Sequence, residues 1–182
     1  DPIPSGPLRS PAAFRRFADE LTRDLLDALE LEAAAIACTS MGGYFGFRTA
    51  IAHPDRVTQL VEYSWPMGTP MVVVPWMMRL GSTAPMRAVM TRVPVNARAA
   101  AAMLKQAGMR RAIESGTFDR GMLDWFVALL RHTTTLKSET DNTTYITLRG
   151  EDRTLWFTDE ELARVDMPVL LLWGDEDTNG GR

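Results

Sequence analysis

Ala33-Ala34-Ala35-Ile36-Ala37-Cys38-Thr39-Ser40-Met41-Gly42-Gly43 is the stretch that decides how this chain folds. The continuous apolar run from Ala33 to Cys38 predicts a strand covered on both faces, as in a parallel sheet. A serine follows, with glycines two and three residues after it. Met41 to His53 then reads as a helix, ended by the His53-Pro54 junction. Strand, tight turn and helix meeting at a serine form a nucleophile elbow. The turn needs small residues two before and two after the serine, and its strain aims the hydroxyl out of the sheet. The backbone N–H of Met41 sits at the helix N-terminus, where it can donate to a developing oxyanion. Ser40 would also serve as a plain helix cap, but strand, turn and both glycines together favour the nucleophile.

Outward from this stretch, the same units recur. Residues 1–11 hold four prolines and a glycine and read as an irregular lead-in. Ser10 can cap a helix with Pro11 at its first position. Phe14, Phe17, Ala18, Leu21, Leu25, Ala28 and Leu29 follow at helical spacing, predicting one buried stripe to about Leu31. Val57–Tyr63 is the next strand, so strand, helix and strand make a βαβ unit. From about Trp65 to Val165 the chain is rich in Met, Trp and Arg. Helical stretches appear near Ala97–Glu114, Asp119–Leu136 and Thr158–Val165, with no strand of parallel-sheet type. Met167–Trp173 returns to a buried strand. The expected fold class is α/β: a mostly parallel sheet formed by residues 1–64 and 166–182, with 65–165 a helical cap insertion.

Composition bounds the partners. The chain has 182 residues, 46% of them hydrophobic and 24% charged, which is ordinary globular composition and excludes disorder. The longest apolar stretch, Pro70–Met78, is far below the roughly 20 residues of a membrane-spanning helix. A net charge of −3 gives no electrostatic reason to expect nucleic acid or a membrane surface. The lone cysteine, Cys38, excludes an internal disulfide and a zinc site, and fits a reducing cytoplasm. No cluster at metal-ligand spacing is present, so no cofactor or metal is expected. The chain opens on Asp1 and closes on Thr178-Asn179-Gly180-Gly181-Arg182, and we expect an internal fragment of a longer protein.

Three motifs together resemble one superfamily. Ser40-Met41-Gly42-Gly43 is similar to the elbow of the α/β-hydrolases, and His53-Pro54-Asp55-Arg56-Val57 to the turn into their next strand. Pro168-Val169-Leu170-Leu171-Leu172-Trp173-Gly174-Asp175-Glu176-Asp177 resembles the strand that delivers their acid. The likeness covers about residues 12–66 and 158–182. Cys38 departs from it, since glycine is most frequent there, and some crowding is expected. Thr39 stands where histidine is common.

The resemblance implies a serine hydrolase acting on an apolar carboxylic ester or related carbonyl substrate through an acyl-enzyme on Ser40. Its Gly-x-x-Asp pattern maps the acid onto Asp177, which would orient the histidine; this reading is favoured over 175–177 as a plain acidic surface loop. Glu62, a carboxylate inside a strand, is expected to pair with an Arg or reach an edge. Neither histidine suits the base. His53 ends the elbow helix on the far side, and His132 lies among the cap helices. The family draws its base, and its second oxyanion donor, from segments outside this chain. Trp65, Met67, Trp76, Met77, Met78, Trp125 and Phe126 are candidates for an apolar pocket wall, or ordinary packing. Carbon–carbon bond hydrolases, acyltransferases and cofactor-free peroxidase-like enzymes keep the same serine. A non-catalytic ligand-binding member of the fold is the alternative from another class. Haloalkane dehalogenases and epoxide hydrolases use an aspartate instead.

Overall fold

Helix α1 (Pro11–Ala28) starts where Ser10 stands in extended backbone and its hydroxyl accepts the Ala13 N–H at 3.2 Å, with Pro11 at the first helical position. This computed structural model describes residues 8, 10–71, 74, 76–92, 95–135 and 145–175. Phe14, Ala18 and Leu26 are buried along α1, while Leu25 and Leu29 are exposed. The predicted stripe therefore turns inward only at its first half, and the helix stops three residues short of Leu31, at Ala28. Glu30 there takes a positive φ of 57°.

Strand β1 (Ala34–Thr39), helix α2 (Met41–Ala52) and strand β2 (Val57–Tyr63) follow as the expected βαβ unit. A short antiparallel pair, β3 (Ile146–Thr147) and β4 (Gly150–Glu151), precedes β5 (Val169–Leu172). The main sheet has the order β1-β2-β5 and both pairings are parallel. β2 is thus the central strand, with Glu62 opposite Cys38 on one side and Leu171 on the other.

Cover is present on one face. A Cβ placed on Gly46 of α2 would lie 2.8 Å from Cys38 Sγ and 3.1 Å from Leu60 Cδ1, so α2 lies on the side of Ile36, Cys38 and Leu60. α1 packs on α2 in turn. Ala35, Ala37 and Thr39 on the other side of β1, Tyr63, and all four residues of β5 are exposed. Among the described residues, α1 and α2 therefore lie on the same side of this sheet.

The core joins Phe14, Ala18, Tyr44, Trp65, Met67 and Leu155. Phe14 stacks on Tyr44 with ring centroids 5.6 Å apart, and Phe157 closes on Tyr44 at 5.3 Å. Below these rings the nearly buried Arg48 binds Asp19 of α1 at 2.6 Å and Glu161 at 2.5 Å; Glu161 also takes Arg15 at 2.8 Å. Glu161 lies in the short helix Asp159–Leu162, which begins with a capping box between Thr158 and Glu161. The chain divides into two compact units: this one, Leu8–Arg79 with Thr144–Arg182, and one built on Leu80–Thr143. Residues 145–165 therefore group with the sheet.

The second unit is helical. Helices Trp76–Gly81, which crosses the boundary, and Ala84–Arg92 were not legible in the sequence. The predicted helix over 97–114 is broken: Ala97–Leu104 passes through a π-helical turn at Lys105–Met109 into Arg110–Glu114. Gly108 takes φ 94° within that turn. Arg120–His132 is capped by the Asp119 side chain, and Arg131 donates to the Val95 carbonyl at 2.7 Å.

Candidate active site

β1 delivers the chain to Ser40, whose backbone has φ 54° and ψ −119°, and α2 begins on the next residue. A side chain in this region is strained by about 1–3 kcal/mol, so the surroundings must enforce it. They hold both peptide groups. The Ser40 N–H donates to Glu62 Oε1 at 3.1 Å, and the Ser40 carbonyl accepts the Met67 N–H at 2.9 Å. Ser40 is exposed, and its hydroxyl makes no capping hydrogen bond. Of the two sequence-level readings of Ser40, the simple helix cap is therefore not what the geometry has. Met41, as the first residue of α2, has an N–H with no acceptor within the helix.

Because all three strands run parallel, Ser40 after β1, Ser64 after β2 and the turn after β5 stand at one edge of the sheet. The Ser64 N–H donates to the Leu172 carbonyl at 2.8 Å, and Ser64 also has a positive φ, 68°. In open α/β sheets, the carboxyl ends of the strands are where ligands bind. Asp177 lies outside the described residues. His53 caps the opposite end of the 12-residue α2, about 18 Å from its start, with Nε2 3.3 Å from Glu20. His132 is the final residue of helix Arg120–His132, in the other unit.

The close approach that makes the elbow is not the one the spacing suggested. A Cβ on Gly42 would meet Cys38 Cβ at an ordinary 3.8 Å. A Cβ on Gly43 would lie 2.6 Å from Glu62 Cδ, against the end of a buried side chain that would have to shift. The expected crowding by Cys38 falls one turn later, on Gly46. Burial, and then the Glu62 carboxyl beside it, push the Cys38 thiol up to about 12, so it carries no thiolate at neutral pH. Glu62 neither pairs with an Arg nor reaches an edge. It is fully buried on the central strand, and burial raises its carboxyl above the usual range. The signal in the sequence was a charged residue inside an apolar strand, but which residue it faced needed the register.

Trp65 and Met67 are buried in the core, and Trp65 Nε1 donates to the Thr69 carbonyl at 3.1 Å. Trp76 and Trp125 are 68% and 64% exposed. Among the described residues, no group of three or more His, Cys, Asp or Glu could hold a metal, and no helix is long and apolar enough to cross a membrane.

Solved structures share this architecture. A hydrolase from Pseudomonas aeruginosa is 23% identical, with a TM-score of 0.56 over 94% of this chain and 56% of its own. The meta-cleavage product hydrolase from Pseudomonas fluorescens is 21% identical, with a TM-score of 0.50 over 91% and 55%. An α/β-hydrolase fold protein from Nakamurella multipartita is 22% identical, with a TM-score of 0.50 over 93% and 61%. The fold is that of the α/β-hydrolases, and the chain spans a little over half the length of these structures. No family model matches the sequence. No curated protein matches it either.

Proposed function

We propose that the whole protein is a serine hydrolase acting on an apolar carboxylic ester or related carbonyl compound. Ser40 attacks the carbonyl carbon and its proton passes to a histidine outside this chain, which returns it to the departing alcohol as the ester C–O bond breaks. The Met41 amide stabilises the oxyanion, Asp177 orients the histidine, and water releases the acyl group. The helical unit over 80–143 is the cap of this reading, and its exposed Trp125 offers apolar surface to a ligand. The observation that carries this reading is the uncapping hydroxyl of the exposed Ser40 on a backbone held at φ 54°. Such strain persists where the surroundings over-determine it, and it clusters at reactive sites.

A fluorophosphonate probe tests it. In the whole protein it modifies Ser40, and Ser40→Ala abolishes labelling and lowers kcat by about a million-fold. A wild-type protein that is folded but unlabelled at Ser40 sinks the hydrolase reading in favour of a ligand-binding protein.

A further inference from the structure

We propose that Glu62 is the positioning residue of the elbow: its buried carboxyl takes the Ser40 N–H and fills the space Gly43 leaves open, locking Ser40 in its left-handed backbone. The proposal rests on the reading of Ser40 as nucleophile and names what holds that nucleophile in place. Three observations converge on the same carboxyl. Oε1 accepts the Ser40 N–H at 3.1 Å. The helix can descend onto the carboxyl only because residue 43 has no side chain, a Cβ there falling 2.6 Å from both Oε1 and Cδ. The rest of the carboxyl is buried against the Cys38 thiol, so among the described residues the Ser40 N–H is its one backbone partner.

Glu62 acts through the backbone. It is fully buried beneath the turn and reaches the amide of Ser40, so it touches no substrate and is not the triad acid. Burial raises the carboxyl above its usual range, and its oxygen accepts the Ser40 amide in either protonation state. Among the described residues the titratable group facing it is Cys38 from β1, itself neutral; α2 presents Gly43, and the register neighbour on β5 is Leu171.

Hydrogen exchange at the Ser40 amide, measured in the whole protein beside probe labelling of Ser40, separates this proposal from the one beneath it. Glu62→Gln keeps an oxygen acceptor of the same shape, so the Ser40 amide stays protected and labelling stays within about threefold of wild type. Glu62→Leu removes the acceptor; protection at Ser40 falls at least tenfold and labelling slows at least tenfold, while the amides in the middle of α2 keep their protection. If Glu62→Leu does not fold, Glu62→Ala and Glu62→Ala with Gly43→Ala supply the same comparison, the second alanine filling space the first vacates. Gly43→Ala alone then costs more labelling than it does beside Glu62→Ala. Unchanged protection at Ser40 in the Leu or Ala variant overturns the proposal, as does equal cost of Gly43→Ala in both backgrounds. If the wild type never labels yet Ser40 protection follows Glu62, the nucleophile reading has failed and the positioning contact stands.

Discussion

The two compact units of the chain are built on different terms. The sheet unit buries Phe14, Tyr44, Leu60, Met67 and Leu155 almost completely, together with a glutamate and an arginine. Among the described residues of the helical unit, Ala100, Leu104 and Leu130 are buried, while Met103, Met109, Met122 and Trp125 are exposed. A unit packed as tightly as the first can hold a serine at positive φ, because its neighbours have nowhere to move. A helical unit with little buried surface gains nothing by strain, and its one positive φ among helical residues falls on a glycine, Gly108. The difference is one of packing: the sheet unit holds a strained non-glycine residue, and the helical unit leaves large apolar side chains exposed.

The comparison can be broken at its strongest point first. Phe14→Ala removes a ring stacked on Tyr44 and leaves a cavity that the surrounding rings cannot close, so denaturant unfolding of the sheet unit should show a loss of about 3–5 kcal/mol. A loss below about 1 kcal/mol would mean that the core is not packed as described.

The second effect is a pH dependence. The Glu62 carboxyl is raised in the folded state, so the fold binds its proton more tightly than the unfolded chain does. That contribution is fully present below the ordinary glutamate range and is lost as pH rises through the raised value. Unfolding free energy measured against pH should therefore fall over this window in the wild type and not in Glu62→Gln. Parallel curves would show that burial does not perturb Glu62. The smallest effect belongs to the helical unit. Trp125→Ala, at an exposed helical position, should change stability by no more than about 0.5 kcal/mol. A larger loss would show that Trp125 is a packing residue and would end its candidacy as pocket surface.

Much of the sheet unit was legible because its punctuation is local. Ser10-Pro11 marks the start of α1, His53-Pro54 the end of α2, and β2 runs over Val57–Tyr63 as read. β1 and β5 were found to within a residue or two of their ends. The Met- and Arg-rich helices Trp76–Gly81 and Ala84–Arg92 escaped because their apolar residues recur without a clean helical period. The break at Gly108 escaped because a glycine inside a helical pattern is tolerated as often as it ends one. At the site, strand–Ser–helix was readable, but the partner of Glu62 was not.

By itself the sequence determined that a βαβ unit turns on Ser40 and that a parallel strand returns near residue 169, since period, caps and breakers act over a few neighbours. Only the tertiary structure decided that Gly43 and not Gly42 faces the Glu62 carboxyl, that Glu62 lies under the serine, and that α1 and α2 lie on the same side of the sheet. Those facts depend on which strand lies beside which and on the side to which the helices pack. Register and layering arise between segments far apart in the chain, and no local pattern encodes them.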